Sequence, residues 1–396
     1  MLQFLCLCAA LPWGQTLSAE APVPPPPAAT APDRWLLLKA LQGTYPGWIL
    51  DSQRIQVNGW TEGSFTASSA RNEQLPMGFN YRANEFLLQQ NWLRIERSVV
   101  TSGTSEPTYG FRFDNILPGS DYRFTLARGV FSEQLTARHG QPSTYGIDPI
   151  QFYGEANFPT VAQGLDIKVG RFFALYGVET NDAVSNALCS HAYTFIYDPF
   201  THTGILNTLK LTNSWTVQAG LVIGSDVFID PADEPTFVGT IKWTRSDQRA
   251  NVLASAIAGS GRFNQAKAFH NPEVLDLVYT YKVNPLLNYS FESLLGYTTH
   301  VTDLGTAWWF GVLNYLTYDL TPRLSATGRL EFFDDEQGQR TRFPGLYTAF
   351  TTGLSFRPRK SIVFRPELRY DYNGESRPFE GRHGLFTATT DVILRW

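Results

Sequence analysis

The final stretch of the chain, Phe386 to Trp396, limits what everything before it can be. Phe386, Ala388, Thr390, Val392, Leu394 and Trp396 fall on one face, and Thr387, Thr389, Asp391 and Arg395 on the other. Ile393 is the one exception. A period of two means a β-strand with one apolar and one polar face. Its length suits a tilted strand crossing a bilayer, which takes about 9–11 residues. A soluble β-sandwich can end on such a strand as well, so the rest of the chain has to decide.

The same unit repeats backwards from the end. Ser361, Val363, Arg365, Glu367, Arg369 and Asp371 oppose Ile362, Phe364, Pro366, Leu368, Tyr370 and Tyr372. Arg323, Ser325, Thr327, Arg329, Glu331 and Asp335 oppose Leu324, Ala326, Leu330 and Phe332. Weaker copies run through Leu275–Lys282, Trp215–Ile223 and Leu165–Val169. A face carrying both charge signs, set against a smooth apolar face, fits a barrel with a wet lumen and a lipid-facing outside. Tight connections at Pro358–Lys360, Thr321-Pro322, Asn284-Pro285, Ser246–Arg249 and Asn213-Ser214 alternate with longer ones at 373–384, 336–344, 259–272 and 226–235. A sandwich has no reason to keep that phase. Outer-membrane barrels do keep it, with short periplasmic turns and longer external loops.

The expected fold is therefore all-β, an antiparallel up-and-down transmembrane barrel. The N-terminal third offers candidate strands at Ile55–Thr66, Phe86–Arg97, Thr108–Asp114, Asp121–Arg128 and Ile150–Asn157, which brings the total to an odd number. Single-chain barrels have even counts, so about 16 strands are expected, within 14–18. Either one candidate is no strand, or another lies between Gly129 and Gly146.

Composition agrees. Aromatic residues make up 14% of the chain, as suits aromatic girdles. Mean hydropathy is −0.19 and no run of about 18 apolar residues occurs, which excludes helical spanning. A net charge of −4 excludes a strong nucleic-acid footprint. Phe4–Trp13 is a short apolar core followed by small residues, so residues 1–19 read as a signal peptide, although no basic residue precedes the core. Its removal takes Cys6 and Cys8 and leaves Cys189 as the lone thiol. Residues 20–54 read as a Pro-rich spacer followed by a short helix at Asp33–Leu41, near the periplasmic mouth. Residues 55–396 form the barrel.

The longest external connection is Arg171–His202. It is too aromatic for disorder, and connections of this length are usually functional. In a wide barrel it can fold inward and narrow the channel. Arg171, Glu179, Asp182, His191 and His202 are its candidate residues. The candidate pore-lining charges are Arg323, Arg329, Glu331, Arg365, Glu367 and Arg369. Glu179 and Asp182 facing lumen arginines or lysines would set a transverse field and select by charge as well as size.

Several blocks here resemble the OmpL-like β-barrel porin family. They are Gly170-Arg171-Phe172, Gly177-Val178-Glu179, Ser190-His191-Ala192-Tyr193 and Pro199–Gly204. Upstream, Gly119–Arg123, Tyr145–Asp148 and Gln151-Phe152-Tyr153 are similar to it as well. The resemblance covers most of the chain after about Gly59, and it implies a porin. The terminal aromatic Trp396 on an amphipathic strand also resembles the sorting signal by which barrels reach their assembly machinery.

Enzymatic and metal chemistry find little support. Neither a phosphate loop nor a nucleophile elbow occurs. Ser190 and His191 are adjacent, so on a strand they would point apart. His191 and His202 lack clustered ligands, and no metal or cofactor is expected. Asp334–Glu336 and Asp230–Glu234 could hold calcium loosely but read better as solvated loop charge. The expected function is an outer-membrane porin passing small polar solutes, with lipid around it and nothing that marks a subunit interface. A barrel enzyme and a secreted β-sandwich are the alternatives.

Overall fold

The computed structural model describes residues 34–129, 131–135, 143–229, 235–259, 272–301 and 303–396. The leader, the Pro-rich spacer through residue 33, and Asp230–Glu234 lie outside the described residues. So does most of the connection at 259–272.

The strands in chain order are β1 (Gln56–Ser68), β2 (Phe86–Arg97), β3 (Thr108–Gly119), β4 (Arg128–Gly129), β5 (Gly146–Phe158) and β6 (Leu165–Phe173). Next come β7 (Thr201–Lys210), β8 (Trp215–Ser225), β9 (Val227–Phe228), β10 (Thr236–Thr244), β11 (Ala250–Ala258) and β12 (Glu273–Lys282). The last are β13 (Leu287–Val301), β14 (Gly305–Thr321), β15 (Leu324–Asp335), β16 (Gly345–Arg359), β17 (Ile362–Asn373) and β18 (Gly384–Arg395). Sixteen of them close into one antiparallel barrel. The short β4 and β9 pair in parallel as a separate sheet.

β1 and β18 close the barrel from Trp60↔Arg395 to Ser68↔Thr387. Trp396 extends that ladder, exchanging backbone hydrogen bonds with Gly59 at 2.9 and 3.0 Å. Closure pairs both edge strands, which would otherwise expose unpaired N–H and C=O groups.

Of the five N-terminal candidates, Asp121–Arg128 is not a barrel strand. Its core, Tyr122–Thr125, is a helical turn. The reason is that β3 already pairs directly with β5, so no ladder is free for it. Ser120 and Asp121 donate instead to the Leu88 and Gln89 carbonyls, at 2.9 and 3.2 Å, and the chain then turns.

The faces follow the alternation. Leu330, Leu368, Phe386 and Leu394 are exposed on the outer wall, while Arg329, Glu367, Thr389 and Asp391 are buried on the inner one. Ile393 lies inside, in a cluster with Trp60, Trp92, Ile116, Ile150 and Val363, which accounts for its break in the pattern. The rim that carries both ends of the barrel has turns as short as 322–323 and 360–361. The opposite rim carries 69–85, the described part of 120–145, 174–200 and 374–383. Among the described residues, two helices precede β1: Leu36–Leu41, inside the run read as Asp33–Leu41, and a second at Tyr45–Ser52 that the sequence reading missed. Thr44 caps the second, accepting from the Gly47 N–H at 3.2 Å. The Arg395 guanidinium sits 3.9 Å over the Trp35 ring and holds the first helix at the terminal rim.

Candidate functional site

The segment 174–200 joins β6 to β7 and runs inside the barrel rather than over its mouth. It has almost no strand partners, so the inner wall must satisfy its backbone. The N–H groups of Gly177 and Val178 donate to Asp276 Oδ2 on β12 (3.0 Å) and Glu292 Oε2 on β13 (2.7 Å). Gly177 has φ +84°, a conformation that favours glycine. Further along, the Cys189 and Ser190 N–H groups donate to Glu367 on β17, at 2.8 and 3.2 Å. The Tyr193 N–H donates to Glu331 on β15 at 2.8 Å. Loop carbonyls meet arginines: Ser190 accepts from Arg329 (2.6 Å), His191 from Arg369 (2.6 Å), and Ala183 and Asn186 from Arg365 (2.8 Å each).

Glu179 ties the two arms of the loop together. It accepts from His191 Nδ1 at 2.7 Å and from the Ala192 N–H at 3.0 Å. It also accepts from Arg329 Nη1 at 2.8 Å and from the Tyr315 hydroxyl. Burial pushes its carboxyl up, but Arg329 and the donors from His191 and Tyr315 hold it down at about 2. On the opposite wall, Asp182 pairs with Arg94 at 2.9 Å and reaches Arg112 at 4.0 Å. Aromatic packing fills the gaps. Phe79, from the 69–85 connection, lies 4.4 Å from the His191 ring, and Phe195 stacks on that ring at 4.3 Å.

The predicted residues divide into three groups. Arg329, Glu331, Arg365, Glu367 and Arg369 lie on the inner wall but are at most 4% exposed, because the loop covers them. The arginines and Glu331 are already paired, in Arg365–Asp391, Arg369–Asp371 (2.7 Å) and Arg329–Glu331 (2.7 Å), and Glu367 accepts from the Cys189 and Ser190 N–H groups. Paired, dry charges act as mounts for the loop and not as an open ring facing water. Glu179, Asp182 and His191 belong to the loop itself. The remaining three sit elsewhere. Arg323 is exposed in the turn between β14 and β15, because β15 begins one residue later, at Leu324, than the alternation indicated. Arg171 lies in β6, where it binds Asp148 at 2.7 Å and the Thr125 carbonyl at 2.8 Å and so pins the 120–145 connection. His202 lies in β7, held by the Tyr176 hydroxyl (2.6 Å) and the Gly224 carbonyl (3.1 Å).

His191 and His202 do not converge on one site. Ser190 and His191 also turn to different partners, Ser190 Oγ to Arg329 (3.0 Å) and His191 to Glu179. Asp335 spends its Oδ2 on the Arg340 and Thr341 N–H groups, at 3.0 and 2.7 Å, and so closes its own loop. Among the described residues, Glu62, Cys189 and Asp391 alone bring three ligand atoms within 4.8 Å of one another. Arg365 already bridges the two carboxylates there and supplies the cation.

Half-exposed charges lie on β2, β3, β5 and β6. Arg112 pairs with Glu96 at 3.6 Å and Lys168 with Glu155 at 3.4 Å, with side chains between 14% and 27% exposed. Glu96, Arg112 and Glu155 were missed in the sequence. The alternation that marked the C-terminal strands would have found them in the N-terminal third.

A family model described as "Putative beta-barrel porin-2, OmpL-like" matches residues 54–395. The fold is similar to the outer membrane channel DcaP of Acinetobacter baumannii, at 10% identity and a TM-score of 0.57, covering 86% of this chain and 97% of that one. It is similar to the anion-selective porin from Comamonas acidovorans, at 7% identity and 0.57, covering 86% and 99%. OmpT of Vibrio cholerae, solved in a trimer form, matches at 8% identity and 0.54, covering 86% and 99%. At such identities the solved structures speak for the fold alone. No curated protein matches the chain.

Proposed function

The chain belongs to the OmpL-like β-barrel porin family of the outer membrane, and from that premise we propose how its lumen works. It is a passive channel for small polar solutes and ions, narrowed by the loop 174–200. The observation that carries this is the loop's course. It is anchored to β12, β13, β15 and β17 on one side and to Arg94 on the other, so it spans the lumen. A barrel of 16 strands encloses an aqueous channel wide enough for such a loop to constrict. Water and solutes then pass along the wall of β2, β3, β5 and β6, where Glu96, Arg112, Glu155 and Lys168 stay hydrated. These residues bias ion passage more than the covered arginines do.

The same reading extends to the rest of the chain. Residues 1–19 are a signal peptide, 20–54 a spacer with helices at the periplasmic rim, and β18 with Trp396 the segment offered to the assembly machinery. Lipid covers the outer wall, and the trimer form of OmpT suggests a homo-oligomer here too. Planar-bilayer recording of the refolded chain tests the core of the proposal. Stepwise, ohmic single-channel currents in potassium chloride are expected. A folded barrel that inserts and passes no current would refute it.

A further inference from the structure

The two arms of the lumen loop enclose a cavity of about 320 Å³, with Glu292 of β13 completing its wall. Tyr176, Asn181, Phe195, Asp198 and Phe200 are among its lining residues, and among the described residues no lysine or arginine is. Asp198 is 9% exposed, and its Oδ1 has no partner. Asn181 is 4% exposed; its amide donates to the Phe200 carbonyl at 3.5 Å, and its Oδ1 is also unpartnered. Glu292 uses Oε2 on the Val178 N–H. Glu179, the third carboxylate in the lining, is already saturated by Arg329, His191 and Tyr315.

Burial raises the Asp198 carboxyl well above its ordinary range, and Asp276, Glu292 and Asp226 add like charge, against Arg340. Arg340 is committed elsewhere, stacked 3.9 Å over Trp309 and donating to Thr298 at 3.4 Å. A buried carboxylate without a partner is costly, and a bound cation relieves it. The lining decides which cation. Asp198, Asp276 and Glu292 do not bring three ligand atoms within 4.8 Å of one another, so they form no chelating cage. Four aromatic rings, Phe173, Tyr176, Phe195 and Phe200, stand in the wall instead, and such rings attract weakly hydrated cations to their faces. The volume lies in the range of small-ligand pockets, about 300–1,000 Å³. The arm 173–178 is half-buried rather than buried, which gives a way in from the lumen.

We propose that this cavity binds a small organic ammonium solute. Asp198 is its counter-charge, Asn181 Oδ1 accepts from a donor on the solute, and Tyr176, Phe195 and Phe200 surround the ammonium group. The site relies on the channel reading only for its access route.

The test is calorimetric titration of the full refolded chain in micelles with choline chloride and tetramethylammonium chloride, using sodium and calcium chloride as controls. Saturable binding of both ammonium ions at one site per chain is expected. Asp198→Asn should weaken it at least tenfold, and Phe195→Leu severalfold. If Asp198→Asn does not refold, Glu292→Gln takes its place with the same expectation. No saturable binding, equal binding by the Asp198 and Phe195 variants, or binding of calcium alone would overturn the proposal. Choline binding without conductance would sink the channel and leave the site standing. Conductance without choline binding would do the reverse.

Discussion

At the scale of single residues, the two faces of a strand differ less in mutational cost than alternation alone suggests. Leu368 is 49% exposed on the outer wall, whereas Arg369, its neighbour, is 1% exposed on the inner wall. Leu368→Arg places a charge against lipid, at a cost of about 2–4 kcal/mol near the midplane. A lumen arginine in open water would be cheap to lose. Arg369 is instead bound to Asp371 and to the His191 carbonyl. Arg369→Ala strands the Asp371 carboxylate, and removing one partner of a buried pair costs about 3–5 kcal/mol. Urea unfolding in micelles should therefore show both variants destabilised by several kcal/mol, with Lys168→Ala, in the hydrated region, close to wild type. A near-neutral Arg369→Ala would mean that the loop does not cover that wall.

At the scale of elements, the lumen loop and the inner wall solve one problem together. The wall's arginines and carboxylates need partners, and so do the loop's carbonyls and N–H groups. Each satisfies the other where water would otherwise do so. Deleting Gly177–Leu188 removes the arm that carries Glu179, Asp182 and the turn bound to Arg365. The barrel should still fold, because its own ladder is unbroken from β1 to β18 and water can replace the lost partners. Single-channel conductance should rise and ion selectivity should change. Unchanged conductance in a folded deletion variant would retire the constriction.

At the scale of the whole molecule, stability rests on closure. Every barrel strand has two neighbours, and the first and last meet through nine paired positions from Trp60↔Arg395 to Ser68↔Thr387. A closed ladder has no weak edge from which to unravel. The protein should resist carbonate extraction from outer membranes, and its gel mobility in detergent should change on heating. Release into the soluble periplasmic fraction would contradict the membrane assignment.

The wall can be read from local pattern. Period two is a local property, so Leu330, Leu368 and Leu394 announced an outer face, and Arg329, Glu367 and Asp391 an inner one, with no knowledge of their neighbours. The phase of short and long connections then set the strand order. The course of the long loop and the partners of the inner charges depend on contacts between distant parts of the chain. Glu179 meets Arg329 across 150 positions of sequence, and Glu367 meets Cys189 across 178. No local pattern encodes such contacts. They exist only once closure has brought β15 and β17 opposite β6 and β7. The same dependence explains Ile393, which broke the alternation because an apolar cluster inside the barrel needed it. It also explains Asp121–Arg128, which alternates like a strand but had no free ladder to join.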